Sequence, residues 1–271
     1  MRPCPYCKSG ENTLRIKEKE FLIVRCTACG LTYLLNPPEE SEIYEDYYQI
    51  EFKGNDYRED SSFEHLREIF EINEQRTGLI KKFASLTDDF KLLDIGCGSG
   101  LFLKSCKDAG IQGEGIDVSN NALDFARNEF GLDVYNRTTE DLINEGKKYD
   151  LITMWHVLEH ILNPIEELRK IKELLSLNGY LMVEVPNLNS IKFKLSGNKW
   201  KGGNHPLYHR SFFTSKTLGE TLIKSGFTDV RRIKFSYPLS NKSFVYNLLK
   251  IIFNVFSADA FLNFTARNTN D

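Results

Sequence analysis

The sequence lacks the features that would send a chain to a membrane or a polyanion. Its start, Met1-Arg2-Pro3-Cys4, has no apolar core of the secretory kind. The longest apolar stretch, Phe244 to Phe256, is broken by Asn247, Lys250 and Asn254 and is too short to span a bilayer. Positive charge is not in excess: 35 basic against 38 acidic residues leave a net charge of −3, too little field to gather nucleic acid. Repeats and low-complexity tracts are absent as well. These absences favour a small-molecule partner and a cytoplasmic location, where the six cysteines are expected to stay reduced. Disulfides are not required in any case, since 271 residues suffice to bury roughly 70–75% of the unfolded surface.

What is present begins with paired cysteines. Cys4-Pro5-Tyr6-Cys7 and Cys26-Thr27-Ala28-Cys29 flank residues 8 to 25, in which Thr13 to Arg25 alternates as a short hairpin does. Each Cys-x-x-Cys aims two thiolates at one point. Two pairs therefore complete a closed tetrahedral zinc shell, a structural site with no position open for catalysis. A redox dithiol is the competing reading, and two matched pairs disfavour it. Residues 1–35 are expected to form a zinc ribbon. Residues 36–60, opened by Asn36-Pro37-Pro38 and rich in acid and tyrosine, form a linker or lid with Tyr44, Tyr47 and Tyr48. A helix starts near Ser61, where Ser61 and Glu64 make a capping box, and opens a domain over 61–271.

From Phe90 onward short apolar runs alternate with helical patterns, which predicts βαβ units and a parallel sheet. Strands are expected at 91–95, 113–117, 133–136, 149–155, 180–185, 228–237 and 260–266, with helices at 215–225 and 243–256 among those between them. Leu92-Leu93-Asp94-Ile95-Gly96-Cys97-Gly98-Ser99-Gly100 is an apolar strand entering a glycine turn and then a helix. About twenty residues later Asp117 ends the next strand, where a carboxylate accepts from ribose hydroxyls. The pattern specifies a nucleoside-containing ligand. A dinucleotide fingerprint would place its third glycine where Leu101 stands. Asp94 before the turn would repel a pyrophosphate and attract a cation, so charge favours the sulfonium cofactor S-adenosylmethionine.

With these motifs, Tyr149 to His160 and Leu174 to Leu181, the chain resembles the class I S-adenosylmethionine-dependent methyltransferase superfamily from about residue 60 to 267. The resemblance implies an α/β, Rossmann-like seven-stranded sheet following the zinc ribbon. It also implies that Asp94 and Gly96, Gly98 and Gly100 cradle the methionine part, that Asp117 and Val118 meet the ribose, and that Thr139 and Glu140 lie against adenine. Trp155 and His156 complete the cofactor set. One departure stands out: many relatives carry aspartate in the turn after the third strand, where this chain has Thr138. Cys97 and Cys106 are expected to be packed small residues.

His156, His160, His205 and His209 follow the fourth and fifth strands of that sheet, at carboxyl ends where open α/β sheets bind ligands. His209, in a polar loop beside Arg210 and expected to face both solvent and substrate, is the first choice for general base, ahead of His156 and His160. His65, on the leading helix, is expected to be structural. Glu159-His160 and the Trp200 to Phe213 stretch resemble a subgroup of zinc-ribbon methyltransferases, which implies a saccharide or nucleotide-linked sugar acceptor. Trp155 to His160 also resembles ubiquinone-pathway O-methyltransferases, which implies a quinone or phenolic acceptor instead. A nucleic-acid role would rest on Arg15, Lys17, Lys19 and Arg25 of the ribbon, a small cluster of ordinary solvated charge.

Overall fold

The computed structural model describes residues 2–38, 63–83, 86–87, 89–196, 208–233 and 260–269. The Ser61 cap, the side chain of His65, Tyr44, Tyr47 and Tyr48, Trp200, His205 and the helix expected at 243–256 lie outside the described residues.

Strands β1 (Asn12–Glu18) and β2 (Phe21–Cys26) pair as the antiparallel hairpin that the alternation of residues 13 to 25 predicts, turning tightly at Lys19 with φ 53°. β3 (Thr32–Leu34) runs back along β2. Helix α1 (Phe63–Phe83) turns Asn73, Arg76, Thr77 and Ile80 inward, a buried stripe at i, i+3, i+4 and i+7. β4 (Leu92–Ile95), buried at every position, leads through the glycine turn into α2 (Leu101–Asp108).

β5 (Gly113–Ile116), α3 (Asn120–Phe130) and β6 (Asp133–Tyr135) follow; Ser119 caps α3 by accepting from the Ala122 N–H, and Gly131 ends it in the left-handed region. α4 (Thr139–Asn144) starts on a reciprocal box between Thr138 and Asp141. Then come β7 (Tyr149–Trp155), a 3-10 turn at Leu158–His160, α5 (Pro164–Leu174), β8 (Leu175–Pro186) and α6 (Ile191–Ser196). β9 (Ser211–Phe212), α7 (Ser215–Lys224), β10 (Thr228–Ile233) and β11 (Phe261–Arg267) complete the described elements.

Among the described residues, seven strands form one sheet in the order β10-β11-β8-β7-β4-β5-β6. β4 to β8 pair in parallel, while β11 lies antiparallel between β8 and β10. This is the parallel α/β core that the alternation predicts, in the Rossmann-like seven-stranded form that the resemblance implies. The strand order reverses at β4 and β7, so the crevice opens beyond their carboxyl ends, at Gly96 and at His156.

The second sheet runs β1-β2-β3-β9, and its last strand comes from the far end of the chain. Thr32 pairs with Phe212 and Tyr33 with Ser211. A two-residue strand carries no periodicity, and β9, just past the polar loop expected up to His209, is an edge strand of the ribbon sheet. Strand alternation then gives the ribbon two buried faces. Val24, Tyr33 and Leu35 join one core cluster with Leu93, Leu158, Phe213 and Leu218 of the α/β layers. Phe21, Ile23 and Leu34 pack with Leu188 and Phe212. Arg2 ties the same junction, its guanidinium donating to the carbonyls of Leu34, Leu162 and Arg210 at 3.0, 2.8 and 2.9 Å. No helix among the described residues is long and apolar enough to cross a membrane.

Candidate active site

A cleft of about 720 Å³ lies at the reversal point, within the size range of small-molecule sites. Its floor is the glycine turn. Gly96 sits at φ 70°, and a Cβ there would stand 2.4 Å from Val157 Cγ2, so geometry and space both demand glycine. Gly98 faces open space at φ 51°, which leaves backbone free to approach a ligand. Gly100 does not line the cleft; a side chain there would strike Leu132 and Ala126, so its task is helix packing.

Asp117 is 7% exposed and aimed by two backbone donors, Gly98 N–H to Oδ2 at 2.8 Å and Ser119 N–H to Oδ1 at 2.9 Å. The carboxylate thereby ties the turn after β4 to the end of β5, with its remaining acceptor capacity toward the cleft. Val118 lines the same wall and is half exposed. Farther along, Thr138 spends its hydroxyl on the α4 cap, while Thr139 Oγ1 donates to Glu167 at 2.7 Å and Glu140 pairs with Lys170 at 2.6 Å.

Asp94 is buried at the opposite end and accepts from Thr153 Oγ1 at 2.6 Å. Burial raises its pKa to about 7, against the pull of the Thr153 hydroxyl and of Arg76. Arg76 lies over the Trp155 ring at 4.3 Å and donates to Asn73 at 2.9 Å and Glu184 at 2.6 Å. Arg76 Nε and Trp155 Nε1 are buried in the cleft wall without an acceptor among the described residues. Such orphaned donors mark where a polar ligand group fits.

The third end holds the histidines. His156 follows β7 at φ 59°, its Nε2 2.9 Å from Glu184 and its Nδ1 3.4 Å from Glu159. Burial pushes its pKa down, but the two carboxylates outweigh that and raise it to about 9. His156 is thus a cation at neutral pH. His160 lines the cleft and donates from Nδ1 to the Tyr208 carbonyl at 3.0 Å, which leaves its Nε2 lone pair available.

His209 is placed differently from expectation. It is 8% exposed, lies off the cleft and sits edge-on behind His160, with ring centroids 4.9 Å apart. The physical reason is the strand that follows it: pairing of β9 with β3 draws residues 209–213 inward. Arg76 and Glu184 went unrecognised in the sequence, and Glu159 stood out only as the neighbour of His160 in a motif. The signal for Arg76 was there, a cation on the stripe that Ile80 marks as apolar. Glu184 gave a similar one, a lone carboxylate in the buried apolar run 181–186.

The four cysteine sulfurs also converge: Cys4 and Cys29 Sγ are 3.5 Å apart, Cys7 and Cys26 Sγ 3.4 Å, and all four lie within 4.8 Å. Cys97 and Cys106 are buried as expected, and burial pushes both thiols up.

Comparison with known proteins supplies the rest. Residues 60–232 match a family model described as a methyltransferase domain. The chain is 30% identical over 193 residues to a ubiquinone biosynthesis O-methyltransferase of Nitrosospira multiformis, an overlap spanning 66% of this chain and 79% of that one. The same named enzyme of Cereibacter sphaeroides is 29% identical over 176 residues, spanning 58% and 70%. Among solved structures, the plantazolicin methyltransferase BpumL in complex with SAH superposes with a TM-score of 0.54 at 22% identity, over 86% of this chain and 91% of that one. A SAM-dependent methyltransferase from Archaeoglobus fulgidus gives 0.53 at 21%, over 77% and 100%. At these identities the structures speak for the fold.

Proposed function

Because the chain belongs to the class I S-adenosylmethionine-dependent methyltransferases, we infer that it transfers the methyl group to a hydroxyl of a small-molecule acceptor. The observation that carries this reading is His160, a cleft imidazole whose Nδ1 proton is committed to a backbone carbonyl and whose Nε2 is open to take a proton. S-adenosylmethionine supplies an already activated methyl, so the protein has only to align the acceptor and remove its proton. His156, already cationic, cannot serve as that base. His209, behind His160, serves to hold it.

The cleft fits the cofactor by charge. Asp94 suits the α-ammonium, the orphaned Arg76 Nε the α-carboxylate, Asp117 the ribose, and the Thr139–Glu140 end the adenine. This yields a pH test. Asp94's raised pKa makes the folded protein hold a proton that the unfolded chain releases, so its contribution to stability is present below about pH 4 and is lost as pH rises through about 7. An ammonium beside the ionised carboxylate offsets that loss. The thermal shift produced by S-adenosylhomocysteine is therefore expected to be larger at about pH 8 than at about pH 5.5, and equal shifts would sink the Asp94 assignment.

For the acceptor, the likeness to ubiquinone biosynthesis O-methyltransferases favours a phenolic or quinol hydroxyl. A saccharide or nucleotide-linked sugar is the second reading, because the family match begins at residue 60 and leaves out the ribbon that packs on the histidine end. Incubation with methyl-labelled cofactor and a panel of catechol-type phenols and nucleotide sugars separates the two. O-methylation of neither, with methylation of amines or carbon acids, would overturn the hydroxyl reading.

The cysteine cluster fits zinc. With Zn–S bonds of about 2.3 Å, a tetrahedral shell requires sulfurs about 3.8 Å apart, close to the separations found. Cys4, Cys7, Cys26 and Cys29 would hold the ion, which would supply folding free energy to a ribbon over residues 1–35. Residues 36–60 then serve as linker to a catalytic domain over 61–271.

A further inference from the structure

Glu159 is 1% exposed, and neither carboxylate oxygen receives a hydrogen bond among the described residues. An ionised carboxylate buried in this way is tolerated only where cations or proton carriers surround it. Imidazoles do so here. His156 Nδ1 stands 3.4 Å away, too poorly aimed for a hydrogen bond but close enough for an ion pair. His160 Nε2 stands 4.0 Å away, and a His209 ring nitrogen lies within the same 4.8 Å group. Glu159's pKa is held down by these imidazoles despite the opposing effect of burial, so it is a carboxylate at neutral pH. The backbone N–H of Arg210 donates to the Glu159 carbonyl at 2.7 Å, and Glu184, itself paired with Arg76, shares His156 with Glu159.

His156 already has Glu184 at 2.9 Å, and Arg76 has the same carboxylate at 2.6 Å. Among the described residues Glu159 is thus the carboxylate that stands near His160, the imidazole that faces the cleft. Its position is set from both sides: the 3-10 turn carries it next to His160, and its own carbonyl is pinned by Arg210 at the root of β9.

We propose that Glu159 is the positioning residue for proton removal, holding His160 Nε2 toward the acceptor and stabilising the imidazolium that forms there. In the step, the acceptor O–H bond breaks with its electron pair kept on oxygen, and the proton forms an N–H bond at Nε2. Nδ1–H remains on the Tyr208 carbonyl throughout. The positive charge so created faces Glu159, while His209, edge-on to the ring, restrains its rotation. The proton then passes to solvent, since the His160 side chain is 33% exposed.

This inference rests on the hydroxyl-acceptor reading, and its test is chosen to be independent of that reading. In the full chain without acceptor, the NMR resonances of the His160 ring, assigned through His160→Gln, are expected to shift and broaden in Glu159→Gln as the ring loses its fixed orientation. With acceptor, kcat should fall about 10²-fold while the KM for cofactor holds. Glu159→Asp should restore part of both effects, which a merely misfolded variant would not allow. Unchanged His160 ring resonances would overturn the proposal. So would a second equivalent of divalent metal, beyond the one owed to the cysteines, that Glu159→Gln releases; the trio would then be a metal site. Methylation of nitrogen or carbon would sink the hydroxyl reading alone, because the His160 ring resonances report on Glu159 without any acceptor.

Discussion

Cys4→Ser is expected to strip the metal from the N-terminal ribbon, lower the melting temperature and abolish methyl transfer, while leaving affinity for S-adenosylhomocysteine nearly intact. Cys4 is fully buried and its sulfur lies 3.5 Å from that of Cys29, so a serine in its place leaves three thiolates and a harder oxygen in a shell built for four. The apparent binding free energy at stake is on the order of 10 kcal/mol, and in a module of this size metal binding and folding are the same event.

The effect cannot stay local. Val24, Leu31, Tyr33 and Leu35 belong to the same core cluster as Phe213 and Leu218, and each such buried side chain contributes roughly 1.5–3 kcal/mol. Losing β3 frees β9 and with it the chain on either side of His209 and Arg210. The histidine end of the cleft therefore loosens. The cofactor end is built from the turns after β4, β5 and β6 instead. Metal analysis, a melting curve and calorimetric titration on one preparation check the three parts. No metal in wild type purified without chelator, or an unchanged melting temperature, would refute the expectation.

How much of this was legible in the sequence follows from the range of the interactions. β4 and β7 were readable because central parallel strands are buried on both faces and appear as apolar runs, whereas β5, Gly-Glu-Gly-Ile, was readable from its place between the glycine turn and Asp117. The start of β8 was read too late, at Tyr180, because α5 passes into it at Leu175 without a connecting loop, and the polar Ser176, Asn178 and Gly179 resemble a turn. The cofactor end was legible since its glycines and Asp117 lie in one βαβ unit. The histidine end was not. Arg76 and Glu184 meet across 108 positions, and β9 exists only by pairing with a strand from the other end of the chain. The burial of His209 follows from that pairing and from nothing in its neighbourhood. A polar stretch read by itself looks solvated.

The second large effect is expected at Asp117. Asp117→Ala should weaken binding of S-adenosylhomocysteine by about 1.5–3 kcal/mol, roughly 10- to 150-fold in Kd, because hydrogen bonds to an ionised acceptor in a buried setting are of that size. Asp117 lines the cleft and is only 7% exposed, so water would not readily replace the lost acceptor. The structure adds a second cost that the sequence could not show. Removing the carboxylate also orphans the N–H groups of Gly98 and Ser119, one in the turn beneath the cofactor and the other at the cap of α3. The turn after β4 should therefore lose order in the free protein, placing the loss toward the upper end of the range. Asp117→Asn keeps an acceptor oxygen and should fall between wild type and alanine, whereas a purely structural role would let asparagine restore affinity fully. Calorimetric titration of the three proteins, with hydrogen exchange of residues 96–100, separates the ligand contribution from the turn contribution. Equal affinity in all three would remove Asp117 from the cofactor site.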